Sequence, residues 1–301
     1  MATRSEAVTI VGTPTRAQNA PRTFWHDMIR SFRRSPAGMV GLILVLLFLL
    51  AAAWGALASP ADTNRSSLSQ RLKPPSSAHI LGTDGFGRDI RNRIVEGAPL
   101  ALAVGVVSVV MGGFFGCALG LVAGYYRGKI GTAIMRLIDA MLAFPTLLLA
   151  LAIMATLGPG LTNVMIAVGF STLPRFARMM QAEVLAIGER EYIIAARAIG
   201  APARAIILRH IVPNSVSSVL VMATLYVSTA ILAEATLSFL GLGPRPPTPT
   251  WGSMINDGSS VLQGAPWVVL FPGLAITVTV LGFSLVGDGL RDALDTRLRE
   301  R

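Results

Sequence analysis

From Gly38 to Ala58 the chain carries no charged side chain, over about the ~20 residues that an α-helix needs to cross ~30 Å of hydrocarbon. Backbone N–H and C=O groups in hydrocarbon must be satisfied within the segment, so such a run folds as a spanning helix. The pattern recurs. Ala98 to about Tyr125 is a second run, rich in glycine, in which Gly116 and Gly120 form a GxxxG match that predicts close helix packing. A stretch from Asp139 to Leu173 is too long for one helix and is divided by Gly158-Pro159-Gly160 into a third and a fourth span. Val216 to Leu240, interrupted by Glu234, is the fifth, and Trp267 to Val286 the sixth. Pro145, Pro174 and Pro272 are expected to kink the spans they touch. The fold class is therefore all-α, a polytopic membrane protein with six transmembrane helices.

Charge agrees with this class. Only 14% of residues are charged, against ~25% in ordinary soluble domains. The net charge of +10 does not point to nucleic acid, because the aromatic residues lie mostly within apolar runs and no basic stripe stands on a soluble domain. With both termini inside, nineteen basic residues fall on cytoplasmic segments and seven on external ones, the bias that sets orientation in a bilayer. Met1 to Pro36 lacks an apolar core followed by a small-residue cleavage site and reads as a cytoplasmic, partly disordered tail.

Catalytic signatures fail on spacing. Gly124 to Lys129 has three residues between its glycines where a phosphate-binding loop needs four, and Ile130 stands where Ser or Thr is required. Gly282 to Gly287 misses a nucleophile elbow by one residue. His26, His79, His210 and the single Cys117 have no ligand-like spacing. No metal, cofactor or catalytic residue is expected in this chain.

The segment Glu191 to Asn214, EYIIAARAIGAPARAIILRHIVPN, is a basic, helix-compatible insert between two spans. Gly200 can take the left-handed conformation that ends a helix, and Pro202 blocks its continuation, so two short helices are expected. Small Ala195 and Ala196 permit close approach by another protein, while Arg197, Arg204 and Arg209 offer donors to an acidic or carbonyl-rich groove. The alternative is an amphipathic helix lying on lipid headgroups.

This insert resembles the cytoplasmic EAA loop of membrane subunits of bacterial type I ABC importers, whose pattern is E-A-A, three residues, G, nine residues, I-x-L-P. Ala195, Ala196, Gly200 and Pro213 fall in register; Ile194 occupies the glutamate position, and His210 and Val212 replace Ile and Leu. Glu191, one turn upstream, is a substitute acid. These departures are similar to the peptide and nickel branch of the family. LGTDGFGRDIRNR from Leu81, AEATLSFLGLG from Ala233, PPTPTWG from Pro246 and GDGLRDALDTRLR from Gly287 resemble the C-type subunit of that branch, so the likeness runs from about residue 24 to the end.

The resemblance implies the transmembrane domain of a type I ABC importer in a bacterial inner membrane. It implies partnership with a homologous B-type permease, two ATP-binding cassette ATPases that hold ATP and Mg2+, and a periplasmic or extracellular solute-binding protein. The solute would be a peptide, a nickel chelate or a related compound. Glu191, Ala195, Ala196, Arg197, Gly200, Ala201, Arg209 and Pro213 would contact the ATPases, whose closure would rock the two membrane subunits. The implied division is a tail 1–37, a first span 38–58, a periplasmic loop 59–97, a five-helix domain 98–287 with its coupling loop at about 181–213, and a cytoplasmic tail 288–301.

Glu234 and Asp139 are ionisable groups in or beside spans, the usual mark of a transport path. Glu234 stands ~30 Å along a helix from Asn214 at ~1.5 Å per residue, near the external end, and either meets solute there or accepts hydrogen bonds within the bundle. Asp139 either serves transport or pairs with Arg136. Asp84, Arg88 and Asp89, beside Gly82, Gly85 and Gly87, form either a docking patch for the binding protein or an internal brace. Trp251 is expected to anchor at the membrane interface. Two other classes fit the composition: an ion-coupled carrier acting alone through Glu234 or Asp139, and a non-transporting scaffold that docks partners on the basic insert.

Overall fold

The computed structural model describes residues 24–57 and 66–299; the expected tail up to residue 23, part of the expected loop and the last two residues lie outside them. The described chain is helical: α1 (Phe24–Arg34), α2 (Pro36–Leu57), α3 (Ile90–Tyr125), α4 (Lys129–Leu142), α5 (Thr146–Leu157), α6 (Leu161–Gly188), α7 (Glu191–Ala198), α8 (Ala203–Ile206), α9 (Val212–Phe239), α10 (Trp251–Ser259) and α11 (Trp267–Arg299).

Four of these stretches are long and apolar enough to cross a membrane: Pro36–Leu57, Ile90–Tyr125, Ala203–Phe239 and Trp267–Leu294. A fifth arises if α4 and α5, bent by 90° at Ala143 to Pro145, count as one broken span. Proline at 145 disfavours helical geometry in Phe144 and starts a new helix after the break. At 28 residues α6 is long enough at ~1.5 Å per residue but less apolar, because its second half carries the exposed Arg175 and Arg178 and the half-buried Glu183. Against the six spans expected, the described residues give four apolar helices long enough to cross, a fifth if the broken pair counts as one, and α6 as a more polar central helix. Pro99, Pro174 and Pro272 lie within continuous helices.

The closest packing is between α3 and α6. Gly112, Gly116, Gly120 and Gly124 form a row at helical spacing, and a Cβ on the first three would run into the carbonyls of Gly169, Leu173 and Ala177. Backbones therefore meet without side chains between them, extending the predicted Gly116–Gly120 contact in both directions. The main core joins α2, α3, α5, α6, α9, α10 and α11, with Phe48 edge-on to Trp251 and Phe283 at centroid distances of 6.0 and 5.9 Å. Trp251 is not at the interface: it is buried and its Nε1 donates to the Ile94 carbonyl at 2.9 Å. A second core at the opposite end joins α3, α6 and the 191–214 insert.

Candidate functional site

The insert is held by three buried isoleucines and presents most of the rest outward. α6 ends at Gly188, and only Glu189 and Arg190 separate it from α7. Ile193 is the one buried residue of α7; with Ile206 and Ile211 it packs on Met180, Val184 and Ile187 of α6 and on Leu121 and Tyr125 of α3. Glu191 sits exposed in the first turn, where a carboxylate is favoured by the helix dipole.

A Schellman motif terminates α7. Gly200 has φ +79°, its N–H donates to the Arg197 carbonyl at 3.0 Å, and the Ala201 N–H reaches back to the Ala196 carbonyl at 3.0 Å. A Cβ at Gly200 would meet nothing within 4 Å, so glycine is required here by backbone conformation rather than by space inside this chain. Ala195 and the apolar Tyr192, Ile194 and Ile199 are exposed, Ile199 at 85%. Ala196 and Ala201 are half-buried. Arg197 lies with its guanidinium carbon 5.8 Å from the Tyr125 ring centroid, while Arg209 is exposed.

The second expected short helix is not separate. α8 continues through a π turn, Ile207–Ile211, into α9, so one helical run extends from Ala203 to Phe239. The Val212 N–H donates to the Ile207 carbonyl, five residues back. Pro213 has no N–H and would clash with the carbonyl of Arg209 in a regular helix, and the wide turn just before it accommodates both defects.

The other predicted residues are held within the chain. Glu234 is 2% exposed and accepts a hydrogen bond from Ser238 Oγ, one turn on, at 2.6 Å. Asp139 pairs with Arg178 of α6 and not with Arg136. Asp84, 4% exposed, is a loop hub: its Oδ1 accepts from the Phe86 and Arg88 N–H groups at 2.8 and 2.9 Å, and its Oδ2 from Arg88 Nε at 2.7 Å. Arg93 Nε stands 3.6 Å from the same Oδ2. Asp89 caps α3 through the Asn92 N–H and contacts His79 Nδ1 at 2.9 Å. These contacts brace the loop within the chain. The large apolar side chains exposed on this loop are Leu68, Ile80 and Phe86, and the cations Arg71 and Lys73 are exposed beside them.

Asp257 of α10 stands 3.7 Å from Arg88. Burial pushes its carboxyl above the usual carboxylate range, opposed by the charges of Arg88 and Arg93.

Residues 116–300 match the family described as binding-protein-dependent transport system inner membrane component, and residues 23–75 match the N-terminal TM domain of oligopeptide transport permease C. A dipeptide transport system permease protein of Alkalihalophilus pseudofirmus is 46% identical over 91% of this chain and 90% of its own length. A glutathione transport system permease protein of Pectobacterium atrosepticum is 44% identical over 92% of this chain and 93% of its own. Among solved structures, an inward-facing form of the MetNI methionine ABC transporter aligns with a TM-score of 0.57 at 19% identity, over 66% of this chain and 95% of that one; at that identity it speaks for the fold alone.

Proposed function

Because this chain belongs to the family of binding-protein-dependent transport system inner membrane components, we propose that it is the permease subunit that lines half of an importer's path for short peptides, di- and tripeptide-sized compounds above all. The relatives named for dipeptide and glutathione transport support that size class. In this reading the partner permease, two ATPases and a solute-binding protein complete the machine, and ATP and Mg2+ act only in the ATPases. α7 is the coupling helix: its exposed Ile194, Ala195 and Ile199 enter a groove of the ATPase, and Glu191 and Arg209 supply rim charges. Both termini face the cytosol.

The observation that carries this reading is an apolar helix face left uncovered at the end of a stiff helical pair. A short helix exposing Tyr192, Ile194 and Ile199 while anchored by one buried isoleucine is built to be gripped from outside. In this reading Glu234 and Asp139 are partnered inside the chain by Ser238 and Arg178, which favours a structural part for both acids over an ion-carrying one. Reconstitution of the four-subunit complex with its binding protein should give ATP-dependent uptake of labelled dipeptides. Solute accumulation by this subunit with no ATPase present would end the proposal.

A further inference from the structure

A cavity of about 320 Å³ opens between α3, α4 and α6, beside the end of α3 that also contacts α7. Its walls carry Arg127 and Arg136, with Thr132 and Gln181 as neutral hydrogen-bonding groups and Ala123, Met135 and Leu185 as apolar floor. The single acid among the lining residues, Asp139, is engaged by Arg178. Arg127 has an exposed contact with Glu189 at 3.3 Å; Arg136 has no acidic partner among the described residues. The cavity is therefore basic on balance.

Its level in the bundle selects a ligand. Arg127 follows directly on Tyr125 and Tyr126, which end the apolar α3 span, and tyrosines at a helix end mark the headgroup level of a bilayer. A basic pocket between spanning helices at this depth suits the phosphate of an anionic lipid, with hydroxyl and amide groups for the rest of the headgroup. We infer that this cavity binds the phosphate headgroup of an anionic membrane lipid, phosphatidylglycerol in kind, and so ties α4 to the α3–α6 pair through a bilayer component. The inference rests on the membrane level of the cavity and not on which solute is carried; its readout is lipid retention, which is separable from transport.

The test uses the assembled transporter in nanodiscs of phosphatidylcholine with or without phosphatidylglycerol, followed by detergent extraction and mass spectrometric counting of retained lipid. Phosphatidylglycerol should be retained by the native complex, and roughly 30-fold less by Arg127→Gln/Arg136→Gln, from the attraction expected of two cations at an anionic surface. Arg136→Lys should keep most of the retention, and Lys129→Gln, a cation outside the cavity lining, all of it. Equal retention by the double variant, or equal retention of phosphatidylcholine, would overturn the proposal. So would displacement of the lipid by inorganic phosphate alone, which would assign the cavity to a soluble anion.

Discussion

Truncating Ile193 tests whether α7 is an independently latched element. The residue is fully buried, and no other residue of α7 is. Ile→Ala in a core costs about 2–5 kcal/mol. The lower part of that range applies, since α7 lies at the surface and can lift away, with water replacing the lost contacts. A loss of about 2–3 kcal/mol in the local opening free energy corresponds to roughly 30- to 150-fold faster amide exchange. The other side-chain ties, Arg197 over Tyr125 and Tyr192 against His210, are exposed or half-exposed contacts, the first worth only about 0.5–1 kcal/mol, so they do not hold the helix alone. Hydrogen exchange followed by mass spectrometry on the chain in nanodiscs should show that acceleration in peptides covering residues 191–200. Peptides from α3 and α6, packed through their glycine row, should be unchanged. If α7 exchanges at its native rate in Ile193→Ala, or if α3 and α6 accelerate equally, the picture of a separately anchored helix is wrong.

Two further perturbations separate conformation from contact and buried charge from exposed. Gly200→Ala and Gly200→Leu should weaken the end of α7 alike, by about 1–2 kcal/mol from the left-handed backbone alone, with Gly200→Asn milder; exchange in the isolated chain measures this, and an intact α7 terminus in Gly200→Ala would contradict it. Asp84→Asn should lower stability by about 3 kcal/mol by removing the buried acid nearest both Arg88 and Arg93, which leaves Arg88 only its longer 3.7 Å contact with Asp257, whereas Asp139→Asn should cost under about 1 kcal/mol because its pair with Arg178 is half exposed; thermal unfolding in detergent ranks the two, and the reverse order would refute the assignment of the loop hub.

The apolar spans were legible in the sequence because hydrocarbon imposes a length and a composition on a helix. Where charge interrupts that rule the reading fell short. α3 begins at Ile90, eight residues before the apolar run, and its first turns hold Arg91, Arg93 and Glu96; hydropathy excludes such residues, yet Arg93 is tolerated at 3% exposure beside Asp84 from the preceding loop. The glycine row of α3 was visible as spacing, but its partner was not, since Gly169, Leu173 and Ala177 keep the same four-residue spacing without a shared residue type that marks them as a landing face. The insert was readable through Gly200, whose positive φ is a property of one residue. Its anchoring was not, because Ile193 and Ile194 are the same residue type in adjacent positions, one buried and the other exposed, and only the position of α6 decides between them.

That same geometry constrains how force applied at α7 could travel. A lever joined to a flexible base dissipates displacement in the base; here two residues join α7 to α6, and α6 meets α3 backbone to backbone along Gly112, Gly116 and Gly120. Interfaces of this kind have no side-chain rotamers to yield. The second core, with Ile193, Ile206 and Ile211 on α6 and α3, also ties in the start of the long run that becomes α9, so a displacement of α7 in the proposed machine would move α3, α6 and the base of α9 together. The sharp 90° break between α4 and α5 is the place in the same region where the chain is already interrupted and can bend at small cost. Motion in this subunit is therefore expected as rotation of one rigid block about that break, the rocking type of transition, and not as a wave of helix bending.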